Sequence, residues 1–137
     1  MRVLFDSNVW LSVLTSRGIC RKVWRRARKT CDIHGSEFIC SEVREHLEET
    51  FGFSPRNADK LTAFARSRMK PVVEATLSAE VCRDPDDIPV LAAAVGTNCA
   101  YLVTGDKDLL ALKEFSGVKI VTVREFEKSL VSRETTL

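Results

Sequence analysis

Four acidic positions in this 137-residue chain have the types and spacing to do chemistry. Asp6 closes the apolar run "RVLF", with Asn8 two residues on; Glu42 lies in "SEFICSEVREHL"; Asp84, Asp86 and Asp87 crowd into "DPDDIP"; Asp106 and Asp108 follow "YLVTG". Carboxylates a few ångströms apart repel and raise one another's pKa, so a pocket built from them is unfavourable until a cation neutralises it. Oxygen-only ligation selects Mg²⁺ or Mn²⁺ over zinc. Such an ion leaves positions for a phosphate oxygen and an activated water, which is the chemistry of phosphodiester hydrolysis. Each polar residue taken alone has a plainer reading: Asp84, Asp86 or Asp108 as a helix cap, Asn8 as the N-cap of the first helix, Glu42 as solvated surface. The coincidence of the acids with strand ends favours the shared pocket.

Those strand ends come from the hydrophobic pattern. Arg2–Phe5 reads as an interior strand covered on both faces. Val9–Leu14 predicts a helix ended by Ser16, Arg17 and Gly18. Cys20, Val23, Trp24, Ala27 and Cys31 then recur at three and four, a second helix that leaves Arg21, Lys22, Arg25, Arg26, Arg28 and Lys29 around its remaining surface. Ser36 is placed to cap a helix carrying Ile39, Val43 and Leu47 on one face. Ser54 and Pro55 open another, with Ala58, Leu61 and Met69 inward, until Pro71 stops it.

The second half alternates. The pattern predicts a short strand at Val72–Val73, a helix from Asp86 to Gly96, a strand Ala100–Val103, a helix Asp106–Glu114 and a strand Val118–Val121. A closing helix is opened by the Thr122/Glu125 capping box. Alternating strands and helices imply an α/β fold, a three-layer α/β/α sandwich around a mainly parallel sheet. Loops that follow parallel strands open at one edge, so Asp6 and Asp106 meet from about a hundred residues apart. Pro89 fits a helix only in its first turn, which starts that helix at Asp86 or Asp87 and sets Asp87 at its positive end. Asp84 then sits one step outside, able to hold a metal-bound water.

Length and a 45% hydrophobic content suit one domain, residues 1–131, followed by a polar tail, 132–137, expected to fray. No apolar run approaches the length of a membrane span and no export signal is evident, so the expected location is the cytoplasm. Five cysteines without C-x-x-C spacing fit free thiols in a reducing compartment. The net charge of +2 hides an asymmetry: seven basic residues and no acid lie between Arg17 and Lys29, and the remaining 14 basic residues face all 19 acids. A basic face and an acidic site therefore coexist.

Taken together, "VLFDSNVWLS", "SEFICSEVREHL", "DPDDIPVLAAAV" and "YLVTGDKDLL" give the chain, from about Val3 to Leu130, a close resemblance to PIN-domain proteins, of the sort found as the ribonuclease toxin of bacterial toxin–antitoxin pairs. Ser7 stands where the family's first motif usually carries threonine. The resemblance implies a Mg²⁺- or Mn²⁺-dependent endoribonuclease whose catalytic acids are Asp6, Glu42, Asp87 and Asp106. Asp108 is implied as a further ligand and Asp84 as accessory. Its register selects Glu42 over Glu45, Glu48 and Glu49. Asn8 and Thr104 would orient ligands or the scissile phosphate, and Arg21, Lys22, Arg25, Arg26 and Lys29 would attract the RNA backbone. An antitoxin partner and a homodimer are implied likewise. Two other readings are a PIN domain that binds RNA or assembles without catalysis, and a haloacid-dehalogenase-like phosphatase with Asp6 as nucleophile. The second expects an acid two residues after Asp6, where this chain has Asn8.

Overall fold

The computed structural model describes residues 1–136 in backbone and 1–133 in side chain. Among the described residues the order is β1 (Arg2–Phe5), α1 (Ser7–Thr15), α2 (Ile19–Thr30), β2 (Asp32–His34), α3 (Glu37–Glu49), α4 (Pro55–Ser67), α5 (Asp87–Gly96), β3 (Tyr101–Val103), α6 (Lys107–Leu112), β4 (Glu114–Phe115), β5 (Val118–Val121) and α7 (Val123–Thr136). The strands form one sheet in the order β2-β1-β3-β5-β4. Every pairing is parallel except β4 with β5. Helices flank this sheet in the α/β/α arrangement expected from the alternation.

β1 is an interior strand, paired on both sides, because Val3, Leu4 and Phe5 are apolar on both faces and fully buried. From β1 the chain moves outward to β2, then returns past β1 to form β3 on its other side. The strand order reverses at that point, and the crevice between β1 and β3 is the place where open α/β sheets receive ligands. An aromatic chain, Phe5 to Trp10 at 5.8 Å and Trp10 to Trp24 at 6.2 Å, ties β1 to α1 and α2. Phe126 of α7 meets Phe5 from another side at 5.9 Å.

The helix starts follow their capping chemistry. Ser36 Oγ accepts from Ile39 N, Ser54 Oγ accepts from Asn57 N ahead of Pro55, and Thr122 and Glu125 bond reciprocally at 3.0 and 3.2 Å. α7 continues to Thr136, through most of the polar stretch expected to fray from Ser132; Leu137 lies outside the described residues.

The expected strand at Val72–Val73 does not form. Its backbone turns to α5 instead: Val73 N bonds Thr97 Oγ1 at 3.0 Å and Ala75 N bonds Ala92 O at 3.0 Å. Gly96 makes this possible, since a Cβ there would meet Val73 O at 2.0 Å. The segment is a strap over a helix, and pairing with the sheet is confined to a bridge between Lys70 and His34. β2 and β4, three and two residues long, were not anticipated. α6 accordingly stops at Leu112, short of the expected Glu114, which begins β4.

Candidate active site

The site grows from the C-terminal ends of β1 and β3. Asp6 N bonds Val103 O at 2.9 Å, so the last ladder bond between the strands delivers Asp6 to the crevice. Asp6 then caps α1, with Oδ1 accepting from Ser7 N at 2.7 Å. Its Oδ2 accepts from Thr104 Oγ1 at 2.7 Å and from Asn8 Nδ2 at 3.2 Å. Both donors reach onward to the β3–α6 loop: Thr104 Oγ1 accepts from Asp106 N and Asn8 Oδ1 accepts from Gly105 N, each at 3.0 Å. A single network thus fixes the two loops relative to each other. Burial pushes the Asp6 carboxyl above its ordinary value and the nearby Asp106 adds to this, against the bonds from Thr104, Ser7 and Asn8.

Asp106 repeats the arrangement, capping α6 through Oδ1 with bonds from Asp108 N at 2.8 Å and Leu109 N at 3.1 Å. The caps of these two helices are therefore the strand-end acids, and neither Asn8 nor Asp108 has the capping role that either could have taken. Before α5, Asp84 Oδ1 accepts from Asp86 N at 3.0 Å and shapes the turn, while Asp86, the N-cap residue, makes no side-chain capping bond. α5 begins at Asp87, which is 6% exposed, and its Oδ2 is buried with no hydrogen-bond partner. Burial first, then the charges of Asp106, Asp84 and Asp6, push its carboxyl up to about 7. Glu42 comes from α3, where Ser7 Oγ donates to its Oε1 at 3.2 Å. Burial and the neighbouring Asp6 push Glu42 up to about 7 as well, against that bond. Glu45 points to solvent and Glu48 pairs with Arg44, so Glu42 is the glutamate of this helix that faces the crevice.

Asp6, Glu42, Asp87 and Asp106 line one cavity of about 400 Å³, with Asn8 and Asp84 at its wall. Asp108 is outside that lining, but Asp87, Asp106 and Asp108 offer carboxylate oxygens within 4.8 Å of one another. Thr104 lies fully buried beneath and acts on Asp6 and Asp106 through the bonds above. Asp86, weighed above as a cap, also lines the wall, and so do His46, Thr50 and Phe51, which the sequence did not mark as site residues. The spacing of His46, one helical turn after Glu42, was the available signal for α3. All the charged groups facing this cavity from β1, α5 and α6 are oxygen acids. That donor set, the unpartnered Asp87 oxygen and two carboxyls held near 7 fit a hard divalent cation, which would satisfy the orphaned acceptor and relieve the repulsion.

The basic helix is partly committed to structure. Arg21 donates from Nε to Val13 O at 2.9 Å and from Nη2 to Leu14 O at 3.4 Å, tying down the end of α1. Lys22 meets Glu127 of α7 at 3.7 Å. Arg25 and Lys29 are exposed and Arg26 is half-buried. Arg17, Arg21, Lys22, Arg25 and Arg26 together line a separate groove of about 560 Å³.

With strand-end acids stitched across the β1–β3 crevice, the family follows: this chain belongs to the PIN-domain family, whose model matches residues 2–108. It is 29% identical over 128 residues to an uncharacterized protein of Methanocaldococcus jannaschii, MJ1680, an alignment covering 83% of this chain and 76% of that protein. Its fold is similar to that of a chain in the crystal structure of VapBC2 from Rickettsia felis bound to a DNA fragment from their promoter. That likeness has a TM-score of 0.69 at 12% identity and covers 89% of this chain and 98% of the other. At that identity the likeness speaks for the fold. No helix among the described residues is long and apolar enough to cross a membrane.

Proposed function

We propose that this chain is a divalent-metal-dependent endoribonuclease and the toxin of a toxin–antitoxin pair. The observation that carries the reading is the buried, unpartnered Oδ2 of Asp87, set in a cavity shared with Asp6, Glu42 and Asp106. These four carboxylates would hold Mg²⁺ or Mn²⁺, with Asp108 at the margin beside Asp87 and Asp106. When bound, the ion supplies a polarised water and neutralises charge at the scissile phosphate. Thr104 and Asn8 hold Asp6 in one rotamer and keep Asp106 at a set distance from it, and Ser7 orients Glu42. Asp84 shapes the turn that brings Asp87 forward and is placed to hold a water of the ion.

In this reading the exposed part of the basic helix, with Arg25 and Lys29 freer than Arg21 and Lys22, draws in the RNA backbone. Binding is then salt-sensitive and largely indifferent to sequence. Family membership and the VapBC2-like fold support an antitoxin partner; a homodimer and a cytoplasmic location belong to the same proposal. A phosphatase with Asp6 as nucleophile is disfavoured, because Asn8 is an amide already engaged with Asp6 and Gly105. The test is cleavage of a mixed RNA pool by the purified chain in Mg²⁺, Mn²⁺ or EDTA, with Asp6→Asn beside it. Cutting that requires metal and vanishes in the variant is expected; a preparation that binds RNA and never cuts it would move the assignment to a binding module.

A further inference from the structure

The acidic cavity adjoins a second one and together with it makes a longer cleft. On the α3 side its wall is completed by His46, Thr50 and Phe51. On the other side a second cavity of about 570 Å³ shares Asn8 and Asp106 with it and extends over Val9, Ile19 and Val123 to Arg124 in the first turn of α7. The ends of this cleft differ in chemistry from its centre. Phe51 is 48% exposed, while Phe53, two residues on, is packed against the core. Phe51 is also held in place: its N bonds His46 O at 3.1 Å, and Gly52, at φ +73°, bonds Glu48 O at 3.2 Å and turns the chain away. A large aromatic ring is thus kept out of the core, on a fixed turn, beside the acids. At the opposite end Arg124 makes no ion pair among the described residues, and the adjacent Glu125 is engaged with Thr122.

We propose that Phe51 is a stacking platform for a nucleobase and Arg124 a contact for a backbone phosphate, one on each side of the acidic centre. The assignment rests on the ribonuclease reading above. Asp6, Glu42, Asp84, Asp86, Asp87 and Asp106 repel a polyanion, so attraction for the strand has to come from groups away from the centre. A ring face accepts any base, and an unpaired guanidinium matches a phosphate. A strand running between them presents a phosphodiester over the acids. Bases in a duplex are already stacked and cannot use Phe51, so the arrangement selects an unpaired strand.

The test measures KM and kcat on a single-stranded RNA of mixed sequence for the wild type, Phe51→Ala, Phe51→Tyr and Arg124→Ala. The same strand, carrying 2-aminopurine, is titrated by fluorescence, in Mg²⁺ and at a series of salt concentrations, against an Asp106→Asn chain alone, with Phe51→Ala and with Arg124→Ala. The expected result is a roughly tenfold rise in KM for Phe51→Ala with kcat within about twofold, recovery in Phe51→Tyr, and 2-aminopurine quenching that requires Phe51. Arg124→Ala should reduce the slope of log affinity against log salt by about 0.7. Wild-type cleavage with binding indifferent to Phe51 overturns this proposal and leaves the nuclease standing. Phe51-dependent binding without any cleavage does the reverse. A failure of every form to bind RNA overturns both.

Discussion

Asp87→Asn should stabilise the metal-free protein while destroying the site. The Asp87 carboxyl moves from an ordinary 3.8 to about 7 on folding. At about 1.4 kcal/mol per decade this is worth a ceiling of roughly 4 kcal/mol. A group whose folded value is raised contributes stability that is present below its unfolded value. That stability is lost as pH rises through the folded one, here between about 4 and about 7. Water at the cavity mouth and the sharing of charge with Asp106 reduce the figure, and half of the ceiling, about 2 kcal/mol, is a sound expectation at pH 8. Asparagine has no charge to lose, and its amide can donate to Asp106, where the protonated acid would. For a domain of this size about 2 kcal/mol corresponds to a rise of roughly 6–10 °C in Tm. The assay is thermal unfolding by circular dichroism in EDTA at pH 4.5 and pH 8. The variant should melt about 2 °C above the wild type at the lower pH and roughly 6–10 °C above it at the higher. A variant that melts at or below the wild type at pH 8, or gains equally at both pH values, would refute the reasoning.

Divalent-ion binding should release protons, because Glu42 and Asp87, both near 7, must ionise to ligate. Calorimetry at pH 6.5 in two buffers of different ionisation enthalpy should detect about 1.5 protons per ion, and apparent affinity should rise with pH through 7; a pH-independent affinity would contradict this. Thr104→Val removes the hydroxyl that donates to Asp6 and accepts from Asp106 N in a fully buried position, and should cost about 1–3 kcal/mol in chemical denaturation and most of the cleavage rate. Thr104→Ser should recover most of both. Gly96→Ala drives a Cβ against Val73 O, which is backbone and cannot swing away, so a loss of about 2–3 kcal/mol is expected in the same denaturation assay, with the strap displaced from α5.

Much of the fold was legible because its local signals agree with its packing. Val3, Leu4 and Phe5 are apolar on consecutive positions and buried on both faces, so β1 and the polar step at Asp6 could be placed from the pattern alone. Parallel topology then brought Asp106 to Asp6 without any contact information. The Val72–Val73 error has the opposite origin: two β-branched residues read as a strand, but the missing side chain of Gly96 decides where they lie. β2 is too short to show periodicity and gains its identity from Val3 and Ile33 in register. At the site, capping and ligation are not rivals: Asp6 and Asp106 each use one oxygen as a cap and keep the carboxylate in the crevice. Glu42 could be told from its neighbouring glutamates only by motif register, and Phe51 escaped notice because its exposure depends on how α3 ends.

The central claim is that these carboxylates form a metal site for RNA hydrolysis. Its most direct test is the initial rate of cleavage of one defined single-stranded RNA as a function of Mn²⁺ concentration, for the wild type and Asp106→Asn, with EDTA added at the plateau. The expected result is a saturable rise in the wild type, immediate arrest by EDTA and a rate for Asp106→Asn lower by at least about a hundredfold. Cleavage that continues in EDTA, or that survives in Asp106→Asn, would contradict it.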